Sequence, residues 1–96
     1  MEFSTQVINA LRAVCATEIA EVPGFLRDNP CETLEDVGAV HDSSNARLNG
    51  AVMLARMLAP GHFDDIDRIH EEAAAQLAAI YSVAYTAIER GDRHVQ

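Results

Sequence analysis

Lysine and tryptophan are absent from this chain, and cysteine, proline and glycine are few. All seven bases are arginines, set against fifteen acids, for a formal charge of -8. A surface with so little positive charge cannot displace phosphate counterions, which argues against direct nucleic-acid binding. It equally disfavours adhesion to an anionic membrane. The two cysteines, Cys15 and Cys31, form neither a CxxC pair nor a metal-ligand spacing, and they read as reduced thiols of a cytoplasmic protein. The opening MEFSTQVINAL has no basic region and does not read as a signal peptide. No apolar run approaches the ~20 residues of a spanning helix. Gly24, Gly38, Gly50, Gly61 and Gly91 are scattered, with no phosphate-cradling pattern and no implied cofactor.

What is present suits helices. The 96 residues fit one domain, 1–96, and 49% of them are hydrophobic. With three Phe and two Tyr, the core must come from Ala, Leu, Ile, Val and Met. Ile8, Leu11, Cys15, Ile19 and Val22 recur at steps of three and four, with Val7 and Val14 widening the stripe. This predicts a first helix from an N-cap at Ser4 to about Glu21, ended by Val22-Pro23-Gly24. Phe25 and Leu26 are then expected in a loop, tucked under the helices. A second helix is expected from Cys31 or Glu32 to Ala59, on the seam Leu34, Val37, His41, Ser44, Leu48, Ala51, Ala55 and Leu58. Within it, His41-Asp42-Ser43-Ser44-Asn45 is poor helix material, so a break at 42–45 competes with one continuous, weakened helix.

A third helix is expected from Asp64–Asp67 to about Arg90, with Gly91 just beyond its end. Its apolar arc covers about half the circumference, wider than the roughly 100° a surface helix needs. Such a helix is either central or partly covered by another subunit. No segment alternates at strand period. The expected fold is all-α: a small antiparallel three-helix bundle running up, down, up. Ala46, Gly50, Ala51 and Ala55 are expected to face Ala73, Ala74, Ala78 and Ala84 across a close helix contact.

Four places invite a chemical reading. Asp67, His70 and Glu71 stand at helical i, i+3 and i, i+4 spacing, which suits a carboxylate–histidine metal site. The matching cluster at Glu32, Glu35 and Asp36 falls at the opposite end of an antiparallel pair, so dipole matching is the favoured reading and no metal is expected. His41, on the helix 2 seam, reads as a satisfied buried histidine before a base or pH switch. Cys31, near a helix start, invites a depressed pKa, but no oriented base accompanies it. Tyr81 and Tyr85, with Ala74 and Ala78, mark a candidate self-association patch.

Charge then points to function. Up-down-up packing gathers Glu18, Glu21, Asp28, Glu32, Glu35, Asp36 and Asp42 at one end, opposed by Arg27, with Glu89, Arg90, Asp92 and Arg93 arriving there. Asp64, Asp65, Asp67, Glu71 and Glu72 mark the other end. The expectation is a non-enzymatic interaction module that docks on a basic, nucleic-acid-binding surface of a partner protein as an antagonist or adaptor. Glu18, Glu21, Glu32, Glu35, Asp36 and Asp42 are its expected contacts. In size and charge the chain resembles small phage-encoded inhibitors of bacterial defence complexes, anti-CRISPR proteins among them; the resemblance is compositional and covers no motif. The alternative is a self-associating structural or regulatory bundle, a homodimer in its simplest form.

Overall fold

The computed structural model describes residues 2–91. It contains α1 (Phe3–Asp28), α2 (Leu34–Leu58) and α3 (Phe63–Glu89), with a single 3-10 turn at Pro60–His62 before α3. No strand occurs among the described residues. Cross-helix pairs give the direction: Ser44 meets Tyr81 and Arg56 meets Asp67, so a step forward on α2 is a step back on α3. Residues 29–33 make the short return from α1, and Glu18 on α1 reaches Arg47 on α2. Every helix touches the other two, in a rod of about 50 × 17 × 15 Å. The expected three-helix bundle is the observed one.

The first helix is longer than its sequence signals suggest. It begins at Phe3, with Glu2 rather than Ser4 in the N-cap position and no side-chain cap. It then runs through Pro23 to Asp28, so Phe25 and Leu26 are helical rather than looped. A proline in a helix interior costs about 3 kcal/mol through its missing N–H and its ring. Burial offsets that cost: Val22 is in the core and Leu26 packs against it. Asn29 then closes the helix, donating both its backbone N–H and its side-chain amide to the Phe25 carbonyl at 2.9 and 3.1 Å.

The second helix starts later than expected, after a reciprocal cap. The Asp36 N–H donates to Thr33 Oγ1 at 3.1 Å, while the Asp36 carboxylate accepts from the backbone N–H groups of Thr33 and Glu32. Two orphan donors of the first turn are thereby satisfied. No break occurs at 42–45. The reason is Ser44: its hydroxyl, which would otherwise compete for backbone bonds, is committed to Tyr81 in the core. In α3, Gly91 takes the left-handed φ of 76° expected beyond a helix end, and its N–H reaches the Ile88 carbonyl.

Val37, Leu48, Ile66, Leu77 and Tyr81 are the deepest apolar side chains, surrounded by Leu11, Cys15, Val22, Val52, Ala55, Ile69 and Ala73. The broad apolar arc of α3 is explained within one chain, because α3 packs on α1 and α2 together. Five residues depart from their expected seams. Val14 lies on the solvent side of α1, and Leu34 and Leu58 are exposed at the two ends of α2. Ala46 and Gly50 do not face α3; both are exposed on the outer side of α2, and a Cβ at Gly50 would meet nothing within 4 Å. A mid-helix glycine costs roughly 0.5–1 kcal/mol against alanine, and no contact within the chain accounts for this one.

Candidate functional site

The polar groups inside the bundle form one chain of contacts. Ser44 Oγ and Tyr81 Oη lie 2.6 Å apart, both side chains fully buried, and the Val40 carbonyl lies 3.5 Å from the phenol oxygen. Arg47 donates from Nη2 to Ser44 at 3.4 Å and grips Glu18 through Nε and Nη2, at 2.6 to 3.0 Å. His41 stacks on the Tyr81 ring, centroids 4.5 Å apart and planes 19° from parallel, and meets Tyr85 at 6.3 Å. Gly38 also faces this group, and a Cβ there would sit 3.6 Å from the Tyr85 hydroxyl, an ordinary contact that does not require glycine.

Electrostatics follow from these contacts. Arg47's hydrogen bonds hold the Glu18 carboxyl below the usual range, against the opposing effect of partial burial. Burial pushes the Tyr81 phenol up, and the Ser44 hydrogen bond only partly opposes it. Burial raises both thiols, and Asp36 raises Cys31 further. The depressed thiol pKa that a helix start offers is therefore not what Cys31 has: Asp36, not the sulfur, occupies the helix N-terminus. Nucleophilic chemistry needs a hydroxyl or thiol beside an oriented base. Ser44 faces a phenol and a guanidinium instead, and among the described residues His41 makes no hydrogen bond to it. The cluster satisfies the buried hydroxyls of Ser44 and Tyr81 and ties α2 to α3.

The six acids expected at the partner contact divide into two sets. Glu18 is held by Arg47 with 14% of its side chain exposed, and Asp36 is committed to the α2 cap, which hydrogen bonds from Glu32 and Thr33 keep in its charged form. Glu21, Glu32, Glu35 and Asp42 are exposed and enter no salt bridge or side-chain hydrogen bond among the described residues. Glu35 and Asp42, seven apart, share one face of α2. Arg47 lies five residues beyond Asp42, roughly 140° around the helix, so Glu18 and Glu21 belong to a different face. Asp92 and Arg93, expected near this end, lie outside the described residues.

Around the α1–α2 return the structure adds what sequence reasoning missed. Phe25 and Leu34, on either side of residues 29–33, are 49% and 45% exposed. The proline signal hid Phe25 by placing it in a loop, and the heptad seam hid Leu34 by assigning it to the core. Both stand exposed at this end of the bundle, with Glu21, Asp28, Glu32 and Glu35 near them in the chain.

The opposite end is more neutral than its composition suggests. Asp67 pairs with Arg56, whose guanidinium also lies 5.0 Å over the Phe63 ring, and Asp65 sits 3.6 Å from Arg68 and 3.8 Å from His62. Asp67 is thus drawn toward α2, and among the described residues no three His, Cys, Asp or Glu side chains converge as metal ligands. A shallow, open depression at this turn is lined by Pro60, His62, Phe63, Asp64 and Arg68. Of the self-association patch, Tyr81 is wholly internal, Ala74 and Tyr85 are half-buried, and Ala78 is exposed. No described helix is long and apolar enough to cross a membrane. Comparison with protein-family models, curated proteins and solved structures finds no match to the chain.

Proposed function

We propose that this chain is a non-enzymatic, acidic helical interaction module that docks on a basic surface of a partner protein through its α1–α2 end. One observation carries the reading: the carboxylates of Glu21, Glu32, Glu35 and Asp42 are exposed and enter no salt bridge or side-chain hydrogen bond among the described residues, on a chain of net charge -8, while Phe25 and Leu34 stand exposed at the same end of the bundle. An apolar centre with a charged rim is the ordinary anatomy of a protein interface. Carboxylates steer the approach to a basic groove, and the apolar pair supplies the short-range affinity. A groove that binds nucleic acid is the natural target, which makes an antagonist or adaptor of such a protein, including a phage-type inhibitor of a defence complex, the concrete form of the role.

The test is capture from a native or host lysate on the wild-type chain and on Glu21→Lys/Glu32→Lys. These two positions are chosen because reversing them leaves the α2 cap intact. A specific partner is expected at about 0.05 M salt, lost at about 0.5 M and lost to the reversed bait, since screening shortens steeply over that range. A partner retained equally by both baits at both salts contradicts the proposal.

A further inference from the structure

The outer face of α2 has the composition of a buried seam. Ala39, Ser43, Ala46, Gly50, Met53 and Met57 follow one another at steps of four and three, and all are exposed. That spacing places them on one stripe, opposite the buried line of Val37, Ser44, Leu48, Val52 and Ala55. Large side chains occupy only its C-terminal half: Met53, Leu54 and Met57 are 65%, 55% and 77% exposed, and Leu58 is exposed beside them. The N-terminal half is small throughout.

We infer that this stripe is the interface between two copies of the chain, packed antiparallel through α2. The occupant is a second copy because the stripe is complementary to itself. Reversing one α2 against another about a point between Ala46 and Gly50 sets Met57 over Ala39 and Met53 over Ser43. Each large side chain then faces a small one, twice over by symmetry, as an isologous contact requires. At the centre, Ala46 and Gly50 meet their counterparts, where the two backbones come closest. That explains Gly50, which costs α2 helix stability and has no close contact within its own chain. Met and Ala seams of 4-3 spacing suit the shallow crossing of paired helices.

The exposed surface of Met53, Leu54 and Met57, with the small residues added, is roughly 500 Å² per copy, so a pair that covers all of it buries roughly 1,000 Å², the threshold for a specific interface. Acidic groups do not oppose the pairing at its centre, since Asp42 and Asp36 flank the stripe rather than lie in it. The pair would leave Glu21, Phe25 and Glu32 of each copy free, while Glu35 and Asp42 border the stripe, so the charge reversal at Glu21 and Glu32 tests docking on a basic partner separately from this inference.

Sedimentation velocity between about 5 and about 500 µM tests it, with a mass of twice 10.4 kDa expected at the upper end. Met53→Glu/Met57→Glu is expected to be monomeric throughout, with unchanged helix content by circular dichroism. Gly50→Leu is a second probe: it should raise the melting temperature of the dilute monomer yet weaken association at least tenfold. A wild-type chain that stays at 10.4 kDa overturns the inference. So does a dimer that survives both α2 variants but is lost in Ala78→Glu, which would put the contact on α3. Monomeric wild type with a captured protein released by Met53→Glu/Met57→Glu gives the stripe to a different partner and equally overturns it.

Discussion

Ser44 and Tyr81 make a polar pair at the centre of an apolar core, and each satisfies the other. Removing one partner leaves a buried hydroxyl with only a long contact, Arg47 for Ser44 or the Val40 carbonyl for Tyr81, at a cost of about 1–3 kcal/mol. Tyr81→Phe is expected to lower the melting temperature by roughly 4–12 °C, read by circular dichroism. Ser44→Ala should cost a similar amount. A pair of unchanged melts would show that the contact carries no weight. Glu18 is a different case, because Arg47 is largely exposed and the pair is worth about 1 kcal/mol or less. Its signature is in pH. A carboxyl held below its unfolded pKa contributes stability in full above that pKa, and loses it as pH falls through the folded value. Glu18 and Asp36 are both such groups. Stability to acid should therefore be level from about pH 7 to about pH 5 and decline below about pH 4. Glu18→Gln should start lower and decline less steeply, and an identical decline in a pH series of melts would contradict that.

At the scale of the helices, periodicity was a sound guide to existence and a poor one to ends and faces. Three helices and their order were legible, because apolar side chains at three-and-four spacing leave few other solutions; the continuity of α2 was not, since the residues at 42–45 left a break and a weakened helix in competition. The end of α1 was not. Pro23 is a strong local stop, but the burial of Val22 and Leu26 outweighs it, and only tertiary structure reveals that. Pro23→Ala should accordingly restore a helix bond and raise the melting temperature by several degrees, by roughly 1 kcal/mol or more. A lower melting point would mean the proline is favoured where it stands. Thr33→Ala should cost about 1 kcal/mol through loss of the α2 cap. The outer stripe of α2 was illegible for a related reason. Small residues fit either a close internal contact or an open face, and Ala46 and Gly50 proved to be the second.

For the whole molecule, the distribution of charge and apolar surface is what bears on function. Acids that look equivalent in sequence part company once folded, into those engaged internally (Glu18, Asp36, Asp65, Asp67) and those that are exposed with no salt bridge or side-chain hydrogen bond among the described residues (Glu21, Glu32, Glu35, Asp42). The charge count could foretell an acidic end but not which residues keep their charge free, because that depends on where Arg47 and Arg56 reach. Phe25 is the single side chain expected to matter most for docking. Phe25→Ala should weaken partner binding by about 2 kcal/mol, near thirtyfold, in the manner of an exposed aromatic anchor. Because the ring is half-exposed, the melting point should move by no more than a few degrees.

The most direct measurement is the association constant of the captured partner across ionic strength, from about 0.05 to about 0.5 M. If exposed carboxylates at the α1–α2 end guide binding, affinity should fall steadily with added salt, and Glu21→Lys/Glu32→Lys should flatten that dependence as well as weaken binding. An affinity that holds constant over the range, or a reversed chain with the wild-type slope, would contradict it.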